Sequence, residues 1–168
     1  MRNQHGVGLI EVIIAVLVLA IAILGSIAMQ YRSLELATQA LKKVEAVNLA
    51  SNLAERMYVN RASYTGASGL VAKGGLSDCI TNEEDENFCD LNAFAKKDIA
   101  DIEEIASQKN MKIDVLPCPD TKNERRCIYV AWDETEASQG SENDNACTTD
   151  KSFSYLPDTK CVVVETFQ

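Results

Sequence analysis

The sequence predicts an α+β fold, in which a long N-terminal helix precedes a second helix and a small antiparallel sheet. A helical pattern without proline runs from Val7 to about Val59, and a shorter one covers Leu91 to about Asn110. Three short stretches rich in β-branched and aromatic residues follow: Met111–Leu116, Cys127–Trp132 and Cys161–Phe167. The 168 residues are enough for one domain with a modest core plus an anchor.

The first half of the long helix is apolar enough to cross a membrane. Val12–Met29 contains no charge, no proline and one glycine, Gly25, which is about the length that spans the hydrocarbon core of a bilayer. Glu11 interrupts the apolar run near its start, and an unpaired carboxylate would cost roughly 2.5–3.5 kcal/mol at mid-bilayer. We therefore expect Glu11 to have a partner.

The second half of this helix is predicted to be amphipathic. Its polar face carries Glu35, Lys42, Glu45, Asn52 and Arg56. The predicted apolar face consists of Leu36, Ala40, Val44, Val47, Ala50, Ala54 and Tyr58. The whole helix would be roughly 80 Å long, far more than the bilayer's ~30 Å, so its outer half needs a domain to pack on.

Polar residues dominate Asn60–Asp90, which includes the acidic run Asn82–Asn87, and a loop is predicted there. The acidic run lacks the ligand order of an EF-hand, which favours a solvated surface over a calcium site. Asp90 is a candidate cap for the second helix, and Asn110 can close that helix in the left-handed conformation.

The two stretches Met111–Leu116 and Cys127–Trp132 are joined by a short polar loop, which favours an antiparallel hairpin. Asp133–Asp150 is predicted to be a polar loop with almost nothing to bury. Phe153–Leu156 is a candidate short strand. The valines of Cys161–Phe167 suggest a last strand that is covered on both faces.

All six cysteines follow the apolar segment, and an even count beyond a membrane anchor indicates disulfides formed in an oxidising compartment. The preferred pairs each bracket a polar stretch between predicted helices or strands: Cys79–Cys89, Cys118–Cys127 and Cys147–Cys161. A rival pattern stays open, in which Cys127 pairs with Cys161 and Cys118 with Cys147, because Cys127 and Cys161 both start strands that could be neighbours.

Charge and composition exclude several functions. A net charge of -9 argues against binding nucleic acid, which needs a basic surface. The only histidine, His5, precedes the apolar segment, so the rest of the chain has no imidazole for a Ser-His-Asp or Cys-His site. No cysteine pair has the C-x-x-C spacing of a zinc site. We therefore expect no enzyme activity, no metal and no cofactor.

The N-terminal residues resemble the class III signal of type IV prepilins and pseudopilins. The resemblance rests on a short leader with Arg2, the Gly6-Val7 junction, Glu11 and the apolar helix. It implies that a membrane peptidase cuts after Gly6 and methylates the new amine of Val7, while Glu11 supports this step and pilus assembly. Val7 departs from the phenylalanine that is commoner in the family. The implied domains are a leader at 1–6, a transmembrane and assembly half at 7–30, and a periplasmic or extracellular globular domain at 31–168.

Motifs in the rest of the chain are similar to the minor pilins of the PilV type. They are LAERM at Leu53–Met57, Asp98-Ile99-Ala100, Leu116-Pro117, and YVAWD at Tyr129–Asp133. The resemblance implies that the back half of the long helix docks on a small antiparallel sheet. It also implies a low-abundance structural subunit that takes part in priming the pilus and in adhesion.

The same resemblance implies the partners and the location. The partners would be other minor and major pilins, the prepilin peptidase and the inner-membrane assembly platform. The chain would cross the bacterial inner membrane once, with its N-terminus cytoplasmic and its domain periplasmic, and would later reach the cell surface in the pilus.

Two alternatives remain open at this level. A type II secretion pseudopilin would have the same architecture. A soluble secreted binding module would be released by ordinary signal peptidase, since Ser26-Ile27-Ala28 also resembles its cleavage site. The pilin and the pseudopilin predict a mature chain that begins at Val7, whereas the secreted module predicts one that begins at Met29.

Overall fold

A computed structural model describes residues 8–64, 91–120, 125–141 and 144–166. The helices in these ranges are α1 (Leu9–Val59), α2 (Arg61–Tyr64) and α3 (Leu91–Gln108). The strands are β1 (Met111–Pro117), β2 (Arg126–Trp132), β3 (Glu136–Gln139), β4 (Ala146–Thr148) and β5 (Cys161–Thr166). Contacts divide the chain into two compact units, Met1–Leu41 and Lys42–Gln168.

The described part of the first unit is helical from Leu9 onward, and each of its residues is exposed. The absence of proline and the single Gly25 leave the helix uninterrupted. Within α1 lies a stretch that is long and apolar enough to cross a membrane, and none of that stretch is buried against other described residues.

The second unit contains a three-stranded antiparallel sheet in the order β1-β2-β5. One face of this sheet packs on α1 and α3 in a single apolar core. From α1 this core takes Ala46, Leu49, Ala50, Leu53 and Met57, and from α3 it takes Ala95, Ile99, Ile102 and Ala106. The sheet contributes Met111, Val115, Ile128, Val130, Trp132 and Val162.

The predicted apolar face of α1 is only partly correct: it shares Ala50 and the partly buried Ala54 with the face that packs, and its other residues are exposed. The helix buries Ala46, Leu49, Ala50, Leu53 and Met57, whereas Val44 and Tyr58 of the predicted face are 57% and 71% exposed. The error arises because the outer half of α1 carries two apolar stripes. The stripe that packs is the one flanked by Lys42, Glu45 and Arg56, whose charged groups reach partners on the domain.

The opposite face of the sheet is also covered. Tyr129 and Ala131 of β2 pack there with Ala137, and the disulfides Cys118–Cys127 and Cys147–Cys161 lie in the same cluster. The buried Tyr129 hydroxyl accepts hydrogen bonds from the Gln139 side-chain amide at 2.9 Å and from the Thr148 hydroxyl at 3.3 Å. β2 is therefore buried at every position.

The prediction of a polar loop at Asp133–Asp150 is wrong. The segment contains β3 and β4, which pair in parallel and cover the back of the sheet. Its buried residues are small: Thr135, Ala137, Ala146, Cys147 and Thr148. Small side chains give little hydrophobic signal along a sequence, and here the tertiary surroundings bury them.

Other sequence predictions are confirmed. β1 and β2 form the expected antiparallel hairpin, with Met111 opposite Trp132. α3 ends at Gln108, and Asn110 follows with φ 55°, the left-handed conformation that closes the helix.

The candidate strand Phe153–Leu156 is not formed. Within this segment Tyr155 makes only an isolated bridge, to Thr148. The loop predicted at Asn60–Asp90 is wrong at its start, where Arg61–Tyr64 forms the short helix α2. Residues 65–90, with their two cysteines and the Asp90 cap, lie outside the described residues.

The buried face of α1 can be tested by two truncations on the same helix. Leu53→Ala should lower the free energy of unfolding by about 2–5 kcal/mol, because it opens a cavity at a residue that is 2% exposed. Val44→Ala, on the exposed stripe, should change it by less than about 0.5 kcal/mol. Urea unfolding of the full chain in detergent, followed by Trp132 fluorescence, measures both. Equal losses would contradict the assignment of the buried face.

Candidate assembly site

The first candidate site is the start of α1. Glu11 lies in the first helical turn, and its backbone N–H donates to the Gly8 carbonyl at 2.9 Å. A carboxylate in this turn is favoured by the helix dipole. Within the part of the chain that the structure describes, the Glu11 side chain has no hydrogen-bond or ion-pair partner. Gly6 and Val7, the predicted cleavage and methylation residues, lie outside the described ranges.

The surface around Glu11 is apolar. Val12, Ala15, Val16 and Leu19 line the same face of the helix over the next two turns. Large apolar side chains from Leu9 to Leu41 are each more than half exposed. This unit therefore offers neighbouring molecules a long apolar helix with one carboxylate near its beginning.

The second set of contacts joins α1 to α3. The Arg56 guanidinium donates to the Asp98 carboxylate at 2.7 Å, lies 3.7 Å from Asp101, and donates to the Asn52 side-chain oxygen at 2.9 Å. Asp98 is 5% exposed. A buried carboxylate is costly without a counter-charge, so Arg56 is what allows Asp98 to be buried in this helix interface.

Two more hydrogen bonds strengthen this junction. The Asn60 side-chain amide donates to the Leu91 carbonyl at 2.7 Å, and the Tyr64 hydroxyl donates to the Ala95 carbonyl at 3.3 Å. Burial raises the pKa of Tyr64 well above its ordinary value, and the negative charge of Asp98 adds to that rise. Tyr64 therefore stays protonated and acts as a donor at any physiological pH.

A third set of contacts joins α1 to the sheet. Asp133 follows β2 with φ 58°, and its two carboxylate oxygens accept hydrogen bonds from Lys42 at 2.5 Å and Lys160 at 2.9 Å. These two hydrogen bonds are the main cause of a lowered Asp133 pKa. Lys109 adds an ion pair to Glu45 on α1. These pairs lie along the edge of the packed stripe.

The sequence motifs thus supply contacts that sequence reasoning did not foresee. Arg56 belongs to the LAERM motif, Asp98 to the α3 motif and Asp133 to the YVAWD motif, and each makes an ion pair in the structure. The helical pattern alone places Arg56 on the polar face of α1, and no partner for it is visible in the sequence. A pattern of opposite charges on the two helices is the one signal that could have suggested the pair.

The structure pairs four of the six cysteines. Cys118 is bonded to Cys127 and Cys147 to Cys161, with Cα atoms 5.0 Å and 5.9 Å apart. These are the preferred pairs of the sequence analysis, and the rival Cys127–Cys161 bond is not formed. The expected Cys79–Cys89 bond lies outside the described residues and stays a prediction.

Two family models match the chain over contiguous ranges. Residues 1–27 match the prokaryotic N-terminal methylation motif, and residues 28–100 match the Tt1218-like model, described as type IV pilin Tt1218. The chain belongs to the type IV pilins. No curated protein and no solved structure matches it. Type IV pilins are structural subunits rather than enzymes, and they associate with other pilins and with the prepilin peptidase.

The two matched ranges contain key residues of the candidate site. The methylation motif covers Glu11 and most of the apolar stretch, and the Tt1218-like match covers both Arg56 and Asp98. The sheet lies beyond both matches. The structure alone establishes the small antiparallel sheet that, with the long helix and the second helix, makes up a pilin fold. The matches do not distinguish the PilV type from other pilins.

The Arg56–Asp98 pair can be tested by removing one charge. Arg56→Met should destabilise the pilin by about 1–3 kcal/mol, because it leaves a buried acceptor without its donor. Lys97→Met is the matched control: it removes a partly buried pair to Asp101, whose carboxylate is more exposed than that of Asp98, and should cost less than about 1 kcal/mol. Adding Asp98→Asn to Arg56→Met should recover part of the loss. Urea unfolding measures all three. A loss no larger for Arg56→Met than for Lys97→Met would contradict the role of the pair.

Proposed function

We propose that this pilin is a minor subunit of a type IV pilus, which takes part in priming fibre assembly and in adhesion. The observation that carries the proposal is the apolar half of α1, which is exposed throughout and carries a single carboxylate, Glu11. The motifs similar to PilV-type minor pilins support the minor role. They supply Arg56, Asp98 and Asp133, which join the helices and the sheet of the domain.

The match to the methylation motif supports the processing step of this proposal. The leader 1–6 is removed by cleavage after Gly6, and the new Val7 amine is methylated. Residues 7–30 then form the membrane and assembly half, and residues 31–168 form the domain. Before assembly the pilin crosses the inner membrane once, with its N-terminus cytoplasmic and its domain periplasmic.

Assembly moves the apolar helix from lipid to a bundle of similar helices. Both environments exclude water, so moving between them costs the apolar side chains little free energy. Other major and minor pilins supply the bundle, with the help of the inner-membrane platform. Glu11 meets the positive amine of Val7, its own or a neighbour's. That pair offsets the desolvation of both charges and favours one axial stagger between subunits.

The assembly role of Glu11 can be separated from membrane anchoring. Glu11→Ala should still insert in the membrane, because it makes the segment more apolar, yet it should be strongly depleted from sheared fibres. Glu35→Ala removes a carboxylate from the same helix beyond the apolar stretch and should enter fibres normally. Immunoblots of membrane and sheared-fibre fractions measure both. Wild-type amounts of Glu11→Ala in fibres would sink the pairing hypothesis.

A further inference from the structure

The spacing of charges on the first unit matches the thickness of a bilayer. Between Glu11 and Arg32 lie the 20 residues 12–31, none of them charged. At 1.5 Å per residue they extend about 30 Å along the continuous helix, which is the thickness of the hydrocarbon core. When α1 spans a bilayer, Glu11 and Arg32 therefore lie at its two opposite boundaries.

The side chains at the second boundary are suited to a lipid surface. Arg32 is 81% exposed, and its ion pair is a weak one, 3.8 Å to the exposed Glu35 one turn further along. Tyr31 beside it is also well exposed. An arginine can extend its guanidinium to a phosphate and bind two of its oxygens, while tyrosine is enriched at the level of lipid headgroups.

We propose that Arg32, with Tyr31 beside it, binds the phosphates of phospholipid headgroups on the domain side of the membrane and sets the depth of α1. The inference rests on the proposed insertion of α1 in the membrane. Arg32 is the first charge after the apolar stretch. Moving it into the hydrocarbon core would cost the free energy of desolvating its guanidinium, and moving it outward would expose apolar side chains to water.

The Arg32 anchor also determines in which environment the Glu11 carboxylate is desolvated. With Arg32 at one headgroup layer, Glu11 lies at the opposite headgroup layer, where water and headgroups solvate it. The mid-bilayer penalty does not arise there. The penalty arises when the helix enters the dry bundle of a fibre, and Glu11 needs its partner at that step.

The test measures the depth of a label next to Arg32. The full chain with Ser33→Cys carries a nitroxide in dioleoylphosphatidylcholine vesicles, and its depth is read from its accessibility to oxygen and to a water-soluble nickel chelate. Arg32→Leu extends the uncharged stretch to residue 34, since the next charge is Glu35. The label should move up to about 4–5 Å toward the bilayer centre, the rise of three residues. Arg32→Lys should keep the label near its original depth.

Lys43→Ala is the matched control, because Lys43 is another exposed basic residue of α1, 11 residues further along the sequence. It should leave the label in place. An unchanged depth in Arg32→Leu, or an equal shift in Lys43→Ala, would overturn the anchor while leaving membrane insertion intact. Labels between 12 and 29 that show no preference for oxygen would overturn insertion itself, and the anchor with it.

Discussion

The apolar half of α1 is left uncovered by the other residues that the structure describes, so it needs lipid or neighbouring helices around it. Its large apolar side chains are each more than half exposed, and the core of the second unit takes its helical residues from Ala46 onward. A helix of this kind is stable only in lipid or among similar helices. The methylation motif lies on the same residues. In the proposed function the helix occupies these two environments in turn, which makes the membrane anchor and the assembly surface one segment of chain.

Most of the domain's fold could be predicted from the sequence. The predictions that failed are those in which tertiary contacts decide which residues are buried. The β1–β2 hairpin and the left-handed Asn110 follow from local patterns that tertiary contacts do not alter. The buried face of α1 could not be read from the sequence, because two apolar stripes compete and only the sheet decides between them. The strands β3 and β4 were missed because their buried residues are small, and a disulfide rather than hydrophobic size holds Cys147 in place.

The candidate site also has one part that the sequence predicts and one part that only the folded structure shows. Glu11 was found from the sequence because a single charge in an apolar run is conspicuous. The Arg56–Asp98 pair was missed because its partners are 42 positions apart and each looks like an ordinary surface charge alone. Burial of Asp98 to 5% exposure is a property of the folded helix pair, and it makes Arg56 part of the structure of the domain rather than of its solvated surface.

The central claim is that the apolar helix is kept in the mature subunit after the leader is removed. Intact mass and N-terminal sequencing of the protein from the membrane fraction test it most directly. The account predicts a chain that begins at Val7 with a methylated amine and retains Glu11 and all of α1. A mature chain that begins at Met29 would contradict it, because that chain would have lost the segment on which both anchoring and assembly depend.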